Sequence, residues 1–170
     1  MNISEKINIT IIICCLTMVS FSLMGQSNVS VWGTVSEGKI KGKSKNFKEA
    51  QISIFLIETN NRIILKRISS NKKGKYDTEL DFDNYYKIVF SSPGFVSKFV
   101  TIDFRDIPVE DRVGGFKMHI DISLFKQIEG IDYSLLNAPI GKAKYYAKTG
   151  VIVWDMAYTR DMMRKVRNIK

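Results

Sequence analysis

The side chains that most often carry out chemistry are few in this chain of 170 residues. His119 is the single histidine, so neither a histidine triad nor a two-histidine zinc site can be assembled around it. Cys14 and Cys15 are the only thiols, and both lie in an apolar run near the N-terminus. We therefore expect His119 to be structural or simply exposed, and the sequence predicts neither a metal site nor a thiol nucleophile.

A group of carboxylates follows the middle of the chain, where oxygen ligands for calcium or the acid and base of a glycosidase could be sought. Its spacing matches no EF-hand loop, and Arg105 and Arg112 would oppose a bound cation. Nothing in the spacing separates an acid from a base. We expect solvated loop charges here, no cofactor and no enzymatic activity. The group consists of Asp103, Asp106, Glu110 and Asp111.

The sharpest charged feature is a lysine cluster in the polar stretch from Ser36 to Glu49. Ammonium groups packed this closely create a positive field that concentrates anionic polymers, more strongly at low salt. A mobile, solvated hairpin loop is the competing interpretation. The cluster consists of Lys39, Lys41, Lys43, Lys45 and Lys48.

Surface aromatics and a basic C-terminal segment are the remaining candidates for binding. Tyr85, Tyr145, Tyr146 and Trp154 either form a platform for sugar rings or complete a small core. From Trp154 to Ile169 the pattern predicts a helix, alone or after a short strand. That helix could lie on an anionic membrane, fill a partner's groove or dock on its own domain.

Two apolar sides are possible for this helix. Met156, Met163 and Val166 share one side, and Met162, Val166 and Ile169 share another, with the basic residues solvated in either case. The candidate contacts in the C-terminal region are Tyr145, Tyr146, Trp154, Arg160, Met163, Arg164 and Arg167.

Residues 1–25 have the pattern of a secretory signal peptide. Lys6 provides a modest positive start, Ile9 to Met18 is uncharged and mostly apolar, and small residues follow up to Gly25. The apolar run is shorter than the roughly 20 residues that span a bilayer, which disfavours a signal anchor. Lipid attachment at a cysteine is a further alternative, although the expected small residues do not precede it. We expect an exported protein, periplasmic or associated with the outer membrane.

Between residues 26 and 126 the dominant period is two, which predicts short strands with one buried face. The pattern gives seven to eight strands at roughly ten-residue spacing, typical of an antiparallel β-sandwich. The last strand is predicted from Met118 to Leu124, and Asn71 to Gly74 is predicted to close a hairpin. Residues 127–170 form an extension, expected to be irregular over 127–147 and to end in the helix.

Four short signatures occur in order along this region. They are Val31-x-Gly33-x-Val35, Ala50-x-Ile52-x-Ile54, Gly74-x-Tyr76, and Tyr86-x-Ile88-x-Phe90-x-x-Pro93-Gly94-Phe95. Together they resemble the carboxypeptidase regulatory-like domain, a transthyretin-like (prealbumin-like) β-sandwich common in envelope proteins of the Bacteroidetes type. The resemblance implies an accessory module without catalytic residues of its own.

The formal net charge of +9 belongs to the part that follows the signal peptide, because Lys6 and Glu5 cancel. An exported protein seldom meets nucleic acid, so we expect none as a partner. The expected function is a non-catalytic binding or scaffolding module within an envelope protein complex, associated with the outer membrane. The alternative is a carbohydrate or cell-wall binding module, with anionic glycan or lipopolysaccharide as its partner.

Overall fold

The computed structural model describes residues 28–38, 45–47, 49–58 and 62–169. The expected signal peptide lies outside these residues, as do Lys39, Lys41, Lys43 and Lys48 of the lysine cluster. Lys45 is described only as part of a short strand. In the described ranges, no helix is long and apolar enough to cross a bilayer.

The regular structure of the described residues consists mostly of strands. One α-helix ends the chain, and two single-turn 3-10 helices, Val109–Arg112 and Ser134–Asn137, lie between strands. The elements are β1 (Val29–Glu37), β2 (Lys45–Asn46), β3 (Gln51–Ile57), β4 (Arg62–Ser69), β5 (Lys75–Leu80), β6 (Tyr85–Ser91), β7 (Lys98–Asp103), β8 (Phe116–His119), β9 (Ile122–Leu124), β10 (Gly141–Tyr146), β11 (Val151–Trp154) and α1 (Met156–Arg167).

These strands form two sheets that share one core. The five-stranded sheet is built around β1, with β2 and β5 antiparallel to it and β8 and β9 parallel to it. The six-stranded sheet has the order β11-β10-β7-β6-β3-β4. This arrangement confirms the prediction of an all-β sandwich with an extension that ends in a helix, although the strands are more numerous than expected.

Alternation of side chains explains how the core forms. Alternate residues of β3, β6 and β7 point inward, and the central apolar residues of these rows are at most 2% exposed, because they face the other sheet. Burying such side chains is the main favourable term in folding. The inward rows are Ile52 and Ile54, then Tyr86, Ile88 and Phe90, then Val100, Ile102 and Phe104.

The turn between β6 and β7 has the folding role that the sequence predicts. Gly94 has φ of 77°, a conformation that side chains rarely adopt, and Phe95 N donates to Ser92 O at 3.1 Å. The Phe95 ring then meets Phe47 edge-on, with centroids 4.5 Å apart. The Ser-Ser-Pro-Gly stretch therefore reverses the chain and covers one end of the sandwich.

The expected last strand, Met118 to Leu124, is divided in two. Ile120 N donates to Trp32 O, and Asp121 Oδ1 accepts from Thr34 N, so the chain bulges at Ile120 and Asp121 between β8 and β9 while staying on the same side of β1. A Cβ on Gly33 would lie 2.1 Å from Ile120 O, so this approach requires glycine. Both segments run parallel to β1, as β10 does to β7, so the wholly antiparallel prediction is wrong at these pairings.

The turn at Asn71 to Gly74 forms, but it does not close a hairpin. Gly74 N donates to Asn71 O at 2.8 Å, and Asn71 Oδ1 accepts from Lys73 N at 2.8 Å. However, β4 belongs to the six-stranded sheet and β5 to the five-stranded sheet. This turn carries the chain from one sheet to the other, and the hairpin prediction is wrong.

The C-terminal extension contains more strand than the sequence predicts. The segment 127–147, expected to be irregular, includes β10, which pairs with β7 on one side and β11 on the other. Ala143 and Tyr145 of β10 are buried in the core. The helix predicted within 154–169 forms as α1, and the strand before it, β11, ends at Trp154, where that range begins.

One of the two predicted apolar sides of α1 faces the protein. Met162 is buried, with Val166 and Ile169 partly buried, whereas Met156 and Met163 are exposed. The helix begins where Asp155 Oδ1 accepts from Tyr158 N at 2.9 Å, and Tyr158 in turn donates its hydroxyl to Pro139 O at 2.7 Å.

Candidate binding face

The outer side of β6, β7, β10 and β11 gathers polar, basic and aromatic side chains. Because Tyr86, Ile102 and Ala143 point inward, their neighbours in sequence point outward. The register places Lys142 beside Thr101, and Lys144 and Tyr85 on either side of Asp103. We call this surface the cationic face. It consists of Tyr85, Lys87, Phe99, Thr101, Asp103, Arg105, Lys142, Lys144 and Tyr146.

Several cations of this face lie over aromatic rings. Lys87 Nζ is 3.9 Å from the centroid of the Phe99 ring, and Lys142 Nζ is 4.1 Å from that of Tyr158. The Arg105 guanidinium carbon lies 5.2 Å from the Tyr85 centroid. Such contacts attract the cation to the ring and restrict its position while leaving its charge accessible. The rings therefore hold a row of positive charge against the sheet.

Asp103 forms an ion pair with Arg105, two residues further along the chain. Arg105 donates to both carboxylate oxygens, from Nε at 2.8 Å and from Nη2 at 2.6 Å. These hydrogen bonds hold the pKa of Asp103 below its ordinary value, and the charge of Lys144 adds to the effect. Asp103 is therefore ionised at neutral pH and offsets Arg105, which leaves Lys87, Lys142 and Lys144 to give the face its positive sign.

A shallow, open groove of about 530 Å³ runs across this face between β7, β10 and β11. Lys142, Lys144 and Tyr146 line it from β10, together with Tyr85 and Arg105. Asp155 also lines the groove, but its carboxylate is engaged as the cap of α1. The arrangement offers positive charge beside aromatic rings, which suits an anionic group or an acidic sugar.

The predicted aromatic residues separate into two groups. Tyr145 is 5% exposed and points into the core, where its hydroxyl donates to the Asp111 carboxylate. Tyr146, next in sequence, points outward and is 42% exposed. Trp154 is half-buried and packs against Gly141. Of the predicted platform, Tyr85 and Tyr146 line the groove, whereas Tyr145 and Trp154 lie on the inward side of the sheet, where Trp154 packs against the core.

The predicted basic residues of α1 lie on its exposed side, and Arg160 and Arg164 are engaged within the helix. Arg160 Nε donates to Met156 O at 3.1 Å. Arg164 and Lys165 both form ion pairs with Asp161, at 2.6 and 2.8 Å. Arg167 and Met163 are exposed. Cations in the last turn also favour the helix through its dipole, so these residues have a local structural role.

The residues of the acidic group and His119 lie at different places in the fold and do not form one site. Asp103 bonds to Arg105, and Asp111 to Tyr145, on different sides of β7 and β10. His119 is exposed, as expected, and stacks on Trp32 with centroids 4.2 Å apart while its Nε2 lies 3.0 Å from Asp121 Oδ1. Among the described residues, no cluster of three His, Cys, Asp or Glu could hold a metal ion.

Sequence reasoning did not single out Arg105, Lys142 and Lys144 as binding residues. The available signal was the spacing of Lys142, Lys144 and Tyr146 at every second position, which places all three on one side of a strand. That signal becomes useful only once residues 141–146 are known to form a strand.

No family model matches the chain, and no curated protein matches it. The 3-chlorocatechol 1,2-dioxygenase from Rhodococcus opacus 1CP is 6% identical over 59% of this chain and 60% of its own, with a TM-score of 0.41. Catechol 1,2-dioxygenase from Acinetobacter sp. ADP1 is 13% identical over 61% and 54%, with a TM-score of 0.40. The major pilin SpaD from Corynebacterium diphtheriae is 13% identical over 59% and 31%, with a TM-score of 0.42. The chain therefore spans less than two thirds of each of these proteins, and similarities this weak do not establish a shared activity.

Proposed function

We propose that this chain is a non-catalytic binding or scaffolding module of the cell envelope, and that the cationic face is its contact surface. The observation that carries the proposal is the row of cations held over aromatic rings on the outer side of the six-stranded sheet. The inward residues of this sheet are buried in the core, whereas Lys142, Lys144 and Tyr146 are exposed.

The partner that suits this surface is an acidic surface of another protein, within an assembly associated with the outer membrane. Complementary charge steers such encounters and aligns the two surfaces. Export rests on the signal-peptide pattern of residues 1–25, and membership of the carboxypeptidase regulatory-like family rests on the four ordered signatures. Both belong to the proposal.

A charge-reversed face tests this proposal. Lys142→Glu combined with Lys144→Glu reverses the sign of the groove without touching the core. The matched control, Lys75→Glu with Lys117→Glu, makes the same charge change on exposed residues of the five-stranded sheet. Each protein is used to capture partners from the detergent-solubilised envelope of the cells that produce it.

We expect the unaltered chain and the control to retain a stoichiometric partner protein, and the reversed variant to lose it. Equal retention by both variants would show that the cationic face is not the contact surface. Deleting the extension is a poorer test, because residues 141–154 supply two strands of the sheet.

A carbohydrate or cell-wall module remains the second candidate, because Tyr85 and Tyr146 stand beside cations in the groove, as recognition of an acidic sugar requires. This candidate predicts retention on purified peptidoglycan or lipopolysaccharide in the absence of any protein partner. Tyr146→Ala would then weaken retention, whereas Trp32→Ala, on the opposite sheet, would not.

A further inference from the structure

The edge strand β4 has exposed apolar side chains at its start. Ile63, Ile64 and Leu65 are 47%, 45% and 52% exposed. In the described part of the chain, β4 pairs with β3 on one side and with no strand on the other, so it ends the six-stranded sheet at the edge opposite β11. Three adjacent large apolar residues on an open strand edge are unusual, because they invite pairing with another chain.

The backbone of β4 also has hydrogen-bonding groups directed away from the sheet. Ser70 N donates to Ala50 O at 2.8 Å, which makes these two residues a hydrogen-bonded pair of the antiparallel ladder. Such pairs alternate with pairs that share no hydrogen bond. Across from β3, the register pairs Ser69 with Gln51 and Arg67 with Ser53, so the N–H and C=O groups of Ser69 and Arg67 point outward.

The charged residues of β4 itself are all cations. Between Glu58 and Asp77 the sequence contains six cations and no acidic residue. The six cations are Arg62, Lys66, Arg67, Lys72, Lys73 and Lys75.

We propose that β4 is a docking edge for an extended segment of another protein that alternates apolar and acidic residues. The segment adds a seventh strand to the six-stranded sheet through main-chain hydrogen bonds. Its apolar side chains lie on the face of Ile63, next to the bulge at Leu65, and its carboxylates lie on the opposite face, where they meet Arg62 and Arg67. This site is separate from the cationic face and does not depend on the function proposed for that face.

Charge decides between this occupant and a second copy of the chain. Pairing β4 with β4 of another copy would bring the cations of both strands together, and like charges close to one another across strands are destabilising. Leu65 is also the extra residue where the register with β3 shifts, since Ile54 pairs with Lys66 and Phe55 with Ile64. A bulge and charged residues protect an edge against identical edges, yet a partner of opposite charge is still accommodated.

The test uses a fluorescein-labelled peptide of alternating valine and glutamate that matches the 8 residues of β4. Two peptides serve as controls. One has lysine in place of each glutamate, and the other is methylated on alternate backbone nitrogens, so that it keeps its charge but loses donors for one ladder. Binding is followed by fluorescence anisotropy, and the exchange of the Arg67 and Ser69 amide protons is followed by NMR.

We expect the valine–glutamate peptide to bind at least about tenfold more tightly than either control. Its binding should slow exchange of the Arg67 and Ser69 amides by at least about tenfold, because these protons gain acceptors. Ser69→Pro removes an outward donor and leaves the bonds to β3 intact, so it should abolish this binding. Leu65→Ser is a second variant that changes only an exposed side chain, and it should weaken binding.

Equal binding of the methylated peptide would overturn the proposal, because the attraction would then be ionic without strand addition. Unchanged exchange of the Arg67 and Ser69 amides at saturating peptide would do the same. Dimerisation of the chain in sedimentation experiments, relieved by Leu65→Ser, would assign the edge to a second copy and would also overturn it.

Discussion

Lys98 brings a positive charge into the interior at one end of the sandwich. It is 9% exposed, its Nζ donates to Ser123 O at 2.5 Å, and it lies 4.5 Å from the centroid of the Phe125 ring. Burial lowers the pKa of Lys98 to about 8. The folded protein therefore binds this proton less tightly than the unfolded chain does, and the charged form destabilises the fold.

Replacing Lys98 with methionine should raise the free energy of unfolding at pH 7. The shift corresponds to roughly 3 kcal/mol, of which the lost hydrogen bond to Ser123 O offsets part, so we expect a net gain of about 1–2 kcal/mol. The penalty is fully present below pH 8 and disappears as the pH rises toward the ordinary lysine pKa. Urea unfolding of both proteins between pH 7 and pH 10 measures the effect.

The quantity to compare is the difference in the free energy of unfolding between Lys98→Met and the unaltered protein, because titration of the tyrosines affects both equally. It should shrink as the pH rises from 8 toward 10. A difference that stays constant over this range would show that the ammonium is not destabilised by burial. Lys117→Met, on an exposed residue of β8, is the control and should change neither the stability nor its pH dependence by a measurable amount.

The sequence predicts the direction of some side chains directly, and that of others only after their strand is known. Lys98 stands in an alternating strand pattern beside Val100 and Ile102, so its inward direction follows from the period of two. Which of Tyr145 and Tyr146 is buried follows from the same rule only after β10 is recognised. The contact of Lys142 with Tyr158 depends on the packing of α1 against β10, which no local pattern contains.

At the scale of elements, the bulge of the chain at Ile120, between β8 and β9, depends on Gly33. A Cβ at this position would lie 2.1 Å from Ile120 O and 2.6 Å from its carbonyl carbon, and both atoms belong to the backbone. A backbone contact cannot be relieved by rotating a side chain. The parallel pairing of β8 and β9 with β1 therefore requires glycine at this point.

Gly33→Ala should destabilise the protein by about 1–3 kcal/mol, because β1 and the β8–β9 connection must move apart. Thr34 N would also lose its acceptor, Asp121 Oδ1. Urea unfolding gives the change in free energy, and amide exchange in β8 and β9 should accelerate more than in β6. Ser30→Ala, in the same strand, is the control, and a Gly33→Ala protein as stable as that control would contradict this account.

The elements with clear hydrophobic alternation were predicted, and those without it were not. Strands β3, β6 and β7 carry isoleucine, phenylalanine or tyrosine at their inward positions. In β10 two of the inward positions are Gly141 and Ala143, which bury little apolar surface and leave no periodic signal. Its strand conformation comes from pairing with β7, which is distant in sequence, and with β11, which follows it in the chain.

At the scale of the whole molecule, pairings between distant segments determine the topology. The strand β1 near the start of the described residues lies between β5 and β8, and β7 pairs with β10 across the 3-10 turns. Local patterns report which residues face inward but not which strand lies beside them. The class of fold could therefore be predicted from sequence, while the strand order and the position of the extension could not.

The extension should accordingly be necessary for cooperative folding, because β10 and β11 complete the six-stranded sheet. Ending the chain after residue 138 would remove Ala143 and Tyr145 from the core and expose the edge of β7. Losing one large buried aromatic side chain alone costs about 3–5 kcal/mol, a large share of the stability of a typical domain. We expect this truncated chain to lack a cooperative thermal transition by circular dichroism.

A chain ending after Asp155 is the matched control for this truncation, because it keeps both strands and loses only α1. It should unfold cooperatively at a lower Tm than the full chain, since Met162 and Tyr158 no longer cover the end of β10. If the chain ending at residue 138 unfolded as cooperatively as this control, β10 and β11 would be additions to a self-sufficient sandwich. The part of the cationic face that lies on β10 would then be separable from the fold and open to deletion experiments.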